Sequence, residues 1–271
     1  MPKSIQSEDV LSRGPRLLTE ERRRKILEIL EAEERVTVED LVQRFGVSSV
    51  TVRGDLDSLA KSGSLIRSHG GAIKRIDPRT DYPIAFKETL HSAEKARIGQ
   101  AAAELIRPGQ IIILDSGTTT AEIARRLKHL KVRPVTVITN ALNSAMELSS
   151  SPELSVVMLG GILRPMSFSL VGPQAEQTLR DLNADQLFLG VDALDPELGL
   201  STPDILEAQL NALMIKVARE VTVVADSSKL RRRSLSVICK VNLIHRLITD
   251  TGADPQVVEA LREQGLEVLT V

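Results

Sequence analysis

The residues best equipped for chemistry stand together at Asp115-Ser116-Gly117-Thr118-Thr119-Thr120, directly after the apolar run Ile111–Leu114. An apolar strand, a turn rich in glycine and hydroxyls, and then a helix make a cradle for an anion. Backbone N–H groups point outward, the helix dipole favours negative charge, and the hydroxyls add donors. One Ser or Thr is enough to cap a helix, so three threonines after Ser-Gly exceed the structural need. No Gly-Lys-Ser/Thr follows, so the turn is not a nucleotide-hydrolysing loop. The expected occupant is a phosphorylated small molecule.

Other apolar runs end in polar groups of the same kind. Thr139-Asn140 closes VTVIT, Gly160-Gly161 with Arg164 follows LSVVML, Gly190-Val191-Asp192 closes DQLFLGV, and Asp226-Ser227-Ser228-Lys229 follows VTVVA. Open parallel sheets bind ligands at such C-terminal strand ends. Taken singly, each is also a common turn former or surface charge. Together, Asp115, Asp192, Asp226 and Lys229 supply acceptors and a cation suited to a polyol or sugar phosphate. The histidines (His69, His91, His129, His245) show no metal-ligand spacing, so neither a metal nor another cofactor is expected. Cys239 stands alone, as a structural thiol in a reducing compartment would.

A second chemistry lies toward the N-terminus. Glu20–Glu33 places Ile26, Leu27, Ile29 and Leu30 on a helical stripe beside Arg22, Arg23, Arg24 and Lys25. Thr37 caps a predicted helix over 38–45, Gly46 breaks it, and Ser48 caps another over 49–61 that ends at Gly63. Two helices around a tight glycine-containing turn, with Leu41, Val47, Val52, Leu56 and Leu59 to bury, have helix-turn-helix spacing. Leu65–Ile73, folded about Gly70-Gly71, reads as a wing. The last helix of such a motif enters the major groove with its N-terminal residues toward base edges, which selects Ser48, Ser49, Thr51 and Arg53. Arg67 and His69 on the wing, and Arg22 with its basic neighbours, would meet phosphates. Residues 1–75 carry 14 basic and 12 acidic residues, a modest balance that also suits a protein-binding three-helix bundle.

These elements require a chain of two parts, and 271 residues suit two domains of roughly 150 each. Hydrophobic residues at 42% against 26% charged exclude a wholly disordered chain. Aromatics at 2% argue against stacking platforms for single-stranded nucleic acid. The net charge of −1 gives no global pull toward nucleic acid or membrane, although a local basic face can hide within it. No apolar run reaches membrane length and the start lacks a signal-peptide core, so a cytoplasmic protein without a membrane partner is expected. Residues 1–19 read as a flexible tail, 20–75 as the winged helix-turn-helix and 76–90, with Pro78 and Pro83, as a linker. Over 91–271, seven β-branched runs (111–115, 135–139, 154–159, 185–191, 221–225, 243–249, 266–271) alternate with helical patterns. Continuous apolar strands separated by helices imply a mostly parallel α/β sheet covered on both faces.

The run RRRKILEILEAEERVTVEDLVQRFGVSSVTVRGDLDSLAKSGSLIRSHGGAI resembles the DNA-binding domain of the DeoR family of bacterial repressors. The elements LDSGTTTAEIA, VITN, LGGILR, GVDAL, GLSTPDILEA and ADSSK extend the resemblance to the C-terminus. It implies a transcriptional repressor of a sugar or amino-sugar operon, bound to double-stranded operator DNA as a homo-oligomer (dimer or tetramer) and relieved by a phosphorylated sugar. It also implies a sensor domain similar to ribose-5-phosphate isomerase. Carried over by motif, Asp115, Ser116, Gly117, Thr118 and Thr119 would hold the phosphate, and Asn140, Gly161, Arg164, Asp192, Glu207 and Lys229 would line the rest. Two departures stand out. Gly54 replaces a larger, often basic residue, and Leu230-Arg231 replaces the usual Phe-Gly.

The rival reading is an active sugar-phosphate isomerase or deaminase fused to a DNA-binding module. Enediol chemistry needs a positioned carboxylate base and an oxyanion stabiliser. The isomerase pattern Gly-Ala-Asp-Glu-x-Asp survives as Gly190-Val191-Asp192-Ala193-Leu194-Asp195, with Ala193 in place of its Glu. The following Lys-Gly-Gly-Gly stretch is missing from 196–202. A sensor that keeps a phosphate cradle without catalysis is the expectation.

Overall fold

A computed structural model describes residues 18–33, 35–62, 64–68, 70–74, 77–130 and 134–271. The chain forms two compact units that divide at Asp77/Pro78. Most of the tail (1–17) and His69 lie outside the described residues.

The N-terminal unit runs α1 (Thr19–Glu33), β1 (Arg35–Thr37), α2 (Val38–Phe45), α3 (Ser49–Lys61), β2 (Leu65–Ser68) and β3 (Gly71–Lys74). The capping signals act as read. Thr37 Oγ1 accepts from Asp40 N–H at 3.1 Å, and Ser48 Oγ accepts from Thr51 N–H at 3.2 Å. Gly46 ends α2 at φ 62°, a left-handed conformation that costs glycine nothing, and its N–H reaches Val42 O. Ile26, Leu30, Leu41, Val52 and Leu56 make one core between the helices. The wing has three strands in the order β1-β3-β2, one more than expected. Arg35–Thr37 pairs antiparallel with Gly71–Ile73. A side chain at Gly71 would run into the Val36 carbonyl oxygen, so glycine is what permits that close pairing.

The C-terminal unit begins with α4 (Ile84–Thr89) and α5 (Ser92–Ala103). Then follow β4 (Ile111–Leu114), α6 (Thr118–Leu127), β5 (Val135–Thr139), α7 (Leu142–Ser149), β6 (Leu154–Met158), β7 (Ile162–Arg164), β8 (Ser169–Val171) and α8 (Pro173–Arg180). The chain closes with β9 (Ala184–Gly190), β10 (Ala193–Asp195), β11 (Gly199–Thr202), α9 (Ile205–Val217), β12 (Ala218–Val224), β13 (Ser236–Cys239), β14 (Arg246–Thr249), α10 (Pro255–Glu263) and β15 (Glu267–Thr270).

All seven apolar runs join one parallel sheet in the order β15-β14-β12-β9-β4-β5-β6. Both faces are buried: Ile112 and Leu114 pack with Ile98, Ile123 and Phe188, while Ile113 packs with Leu187, Leu189 and Leu210. That double burial is why these strands read as unbroken apolar runs. The β7-β8 hairpin and the small antiparallel sheet β10-β11-β13 are additions that short, mixed sequences did not announce.

The segment read as a linker is partly something else. From Pro78 it belongs to the C-terminal unit, and Ile84–Thr89 is helical. Ile84 is buried and its N–H donates to Met166 O at 2.6 Å, which fastens α4 to the turn between β7 and β8. Two prolines suggested a spacer, but buried Ile84, with the ion pairs of Asp81 and Lys87, packs the segment onto the C-terminal unit.

Sheet order also fixes where a crevice must lie. From β4 the chain proceeds through β5 and β6 on one side, whereas β9, β12, β14 and β15 occupy the other. The switch point is therefore between the C-terminal ends of β4 and β9, where Asp115 and Asp192 follow the strands.

Candidate functional site

In the N-terminal unit, α3 presents Ser48, Ser49 and Arg53 to solvent and Thr51 partly so. The Arg53 guanidinium has no ion-pair partner among the described residues. The Ser48 hydroxyl lies 2.9 Å from Thr51 Oγ1 as well as capping the helix, so both hydroxyls begin engaged with each other. Val50 is 74% exposed in the first turn and was not anticipated as a contact. Arg67 reaches from β2 to Asp57 on α3 (2.7 Å) and to the Gly71 carbonyl, which ties wing to helix and leaves the guanidinium part-exposed.

Arg22 corrects an expectation. It is 6% exposed, and its Nε donates to buried Asp55 at 2.5 Å, with Arg23 Nε at 3.2 Å from the other carboxylate oxygen. An arginine held inside against α3 cannot reach a phosphate; it locks α1 to the reading helix. Within the basic run, Arg24 and Lys25 are the exposed residues.

In the C-terminal unit, the switch point gathers charge from elements far apart in sequence. Asp115 is 2% exposed after β4, and a Cβ on Gly190 would lie 3.6 Å from its Oδ2. Asp192 accepts from Lys87 Nζ at 2.9 Å and from Thr202 Oγ1 at 3.1 Å. Glu207, in the first turn of α9, accepts from Ser169 Oγ at 3.0 Å and pairs with Arg164. Arg164 also meets Asp81 (2.5 Å), Asp204 (3.3 Å) and Ser167 Oγ (2.8 Å). Ser116, Gly117 and Thr118 line the start of α6 half-buried, and Thr119 is buried. Asn140 is fully buried, its Nδ2 donates to Leu170 O at 3.4 Å, and its Oδ1 has no hydrogen-bond partner. The Lys229 ammonium is half-buried with no ion-pair partner among the described residues.

The electrostatics sort these groups into two kinds. Burial pushes the Asp115 carboxyl well above the usual carboxylate range, and the negative Glu207 adds to it. Burial raises Glu207 as well, against the pull of Arg164. Burial works the same way on Asp192 and Asp226, but Lys87 and Lys229 outweigh it at the first, and Lys229 and His91 at the second. Both carboxyls are held below their ordinary range. Lys95 goes the other way: burial, helped by Lys229 and Lys87, brings its ammonium down to about 8 despite Asp226.

Two expectations change here. Thr120 is fully buried and its hydroxyl donates to Gly117 O at 3.0 Å, so it closes the first turn of α6 instead of offering a donor to a ligand. Gly161 is exposed at φ 122°, where a side chain would strike the Val171 carbonyl; its role is to let β7 approach β8. Lys87, Lys95, Asp81, Asp204 and Thr202 were missed. Lys95 had a legible signal, because it shares a helical stripe with Ile98, Gly99 and Ala102, where a charge must have a buried purpose. Arg231 sits at φ 55°, the left-handed conformation that a glycine there would adopt without strain. Gly54 faces open space. His245 Nδ1 accepts from Val221 N–H at 3.0 Å, and burial raises the Cys239 thiol to about 11, which suits structural roles for both.

A winged helix-turn-helix on one chain with a parallel α/β unit that opens a charged crevice defines a DNA-binding transcriptional regulator. The model of the DeoR-like helix-turn-helix domain matches residues 22–76, and that of the DeoR C terminal sensor domain matches residues 90–251. The chain belongs to the DeoR family. It is 43% identical, over 93% of its length and 94% of the relative's, to an Escherichia coli O157:H7 protein named for transcriptional repression of the aga operon. It is 37% identical to the HTH-type regulator GlpR of Haloferax volcanii, covering 93% of this chain and 98% of that one. To UlaR of Shigella flexneri it is 32% identical, covering 94% and 100%. A solved ribose 5-phosphate isomerase of Methanocaldococcus jannaschii aligns over 52% of this chain and 55% of its own, at 20% identity and a TM-score of 0.39. That likeness is too slight to add to the sheet topology already described.

Proposed function

We propose that this regulator represses a sugar or amino-sugar catabolic operon and releases its operator when a phosphorylated sugar binds the switch-point crevice. One observation carries the reading. Among the described residues, Lys229 stands without an ion-pair partner and Asn140 Oδ1 without a hydrogen bond, beside Asp192, Glu207 and Arg164, whose charges are paired. An anionic ligand with hydroxyl groups would pair the Lys229 ammonium and donate to the Asn140 oxygen. The half-buried N-terminus of α6, with Ser116, Gly117 and Thr118, suits the phosphate, while Asp192, Glu207 and Arg164 suit the hydroxyl-bearing end. Names of the relatives support the sugar-operon assignment, since one refers to the aga operon.

The mechanism is an exchange of states. Ser49, Val50 and Arg53 engage base edges, while Arg24, Lys25 and part of Arg67 face phosphates, and a second copy supplies the other half-site. Ligand binding favours a state in which the paired heads match the operator poorly. By reciprocity, the operator weakens ligand binding by the same factor. The pocket is a sensor, not a catalyst. Ala193 stands where an isomerase pattern has its Glu, and Asp195 is committed to Arg233 (2.8 Å) and to the Glu197 and Leu198 amides (3.0 Å each).

Operator release measures this directly. Replacing Asp115 or Thr118 leaves operator affinity within about twofold and abolishes release by sugar phosphate. A folded variant of either kind that no longer binds DNA contradicts the separation of roles.

A further inference from the structure

The crevice contains a buried group that the repressor mechanism does not use. Lys95, in the first turn of α5, is 4% exposed, and its ammonium donates to the Lys87 carbonyl oxygen at 2.5 Å. Around it stand Lys87 and Glu88 from α4, His91 just before α5, and Asp226 and Lys229 after β12. The neighbouring acids are occupied. Asp226 accepts from Ser228 N–H at 3.1 Å, and Asp250 accepts from Ser227 N–H at 2.6 Å and from its hydroxyl at 3.0 Å. Glu122, where α6 packs on Gly99 a turn further along α5, pairs with Arg125. His91 itself adopts φ 50°, and its buried Nε2 has no hydrogen-bond partner. Three lysines thus converge on one corner of the crevice, and among the described residues only Lys87 has a carboxylate within ion-pair distance, Asp192 at 2.9 Å and Asp81 at 3.9 Å.

We propose that capture of an anionic ligand in this crevice takes up a proton, and that Lys95 receives it. The inference rests on the reading of the crevice as an anion site and adds the regulation of that site. Without ligand, burial and the two neighbouring ammonium groups hold Lys95 near 8, so part of the population is neutral in mildly alkaline solution. A dianion placed beside the cluster reverses the local potential and returns Lys95 toward its ordinary value. Binding and protonation then support each other, and the sensor answers more weakly as pH rises above 8. A sugar phosphate monoester cannot produce that trend by its own titration, because its second ionisation lies near 6.

Inorganic sulfate is a suitable probe, since it remains a dianion across this range. Calorimetric titration of the full chain, in two buffers of different ionisation heat, counts the protons. Uptake of about half a proton per sulfate at pH 8, rising toward one at pH 9, is expected, with affinity about tenfold weaker at pH 9 than at pH 7. Lys95→Arg, whose charge is fixed, binds sulfate with no uptake and nearly equal affinity at both values. Sulfate binding without proton uptake in the unaltered protein overturns the proposal and leaves the anion site standing. Uptake that persists in folded Lys95→Arg removes the assignment to Lys95. No binding of sulfate or of inorganic phosphate removes the anion site along with the proposal. The proton count on the unaltered protein decides even if the variant does not fold.

Discussion

The two units treat charge in opposite ways. The N-terminal unit buries one compact cluster, Arg22 with Asp55 supported by Arg23, and presents Arg53 and Val50 to water. The C-terminal unit draws carboxylates, lysines and an arginine from α4, α5, β7, α9 and three strand ends into one crevice, and leaves Lys229 and Asn140 incomplete. A surface that docks on DNA meets a partner whose charge is fixed and always present, so its own charges stay hydrated until contact. A crevice that reports on a small molecule must hold its charges out of water beforehand, so that the ligand changes the balance. The first unit is complete before it binds; the second, on the proposed function, is completed by its ligand.

That contrast can be broken at its largest point by removing Asp55. Asp55→Ala strands Arg22 inside the N-terminal unit, and losing one partner of a buried pair costs about 3–5 kcal/mol. Thermal unfolding followed by far-UV circular dichroism is expected to show an early transition for the N-terminal unit, with the later one unmoved. A single unshifted transition means that the pair contributes little and that Arg22 is free for another role.

At the DNA surface, Arg53→Ala is expected to weaken operator binding by about 1–3 kcal/mol if the side chain reads a base, with less loss on unrelated sequence. Fluorescence anisotropy on both duplexes checks this. Equal loss on the two identifies Arg53 as a phosphate contact.

The smallest and most diagnostic effect belongs to the crevice. The Asp115 carboxyl is raised by burial and by Glu207, so the stability of its neutral form is fully present below its unfolded value of about 4 and is lost as pH rises through the folded value. Asp115→Asn stays neutral throughout. It is expected to melt higher than the unaltered protein near pH 7 and to show a shallower decline of stability above pH 4. The same variant should no longer respond to sugar phosphate. A lower melting point near pH 7 shows instead that the ionised carboxylate is well satisfied.

The parts legible in the sequence are those governed by local rules. Thr37, Gly46 and Ser48 set the helix boundaries through their own caps, and the sheet strands were legible because burial on both faces leaves no polar interruption. At the crevice, strand-end residues such as Asp115, Asp192 and Lys229 were visible because a parallel sheet exposes its C-terminal ends. Lys87 and Asp81 were not, since they lie in a proline-containing stretch whose helix depends on Ile84 packing against a distant turn. Arg22 was misread for a related reason. Nothing local distinguishes it from Arg24 and Lys25; only the return of α3, with Asp55 facing inward, turns one member of the basic run into a core residue.

Thermal unfolding of the full chain against a panel of sugar phosphates and their unphosphorylated parents shows whether a phosphorylated sugar completes the crevice. A ligand present at 100 times its Kd stabilises the folded state by about 2.7 kcal/mol. Such a shift is expected in the transition of the C-terminal unit with at least one phosphosugar and none with its parent. Equal shifts with phosphorylated and parent sugars, or no shift with any member of the panel, would contradict the proposed function.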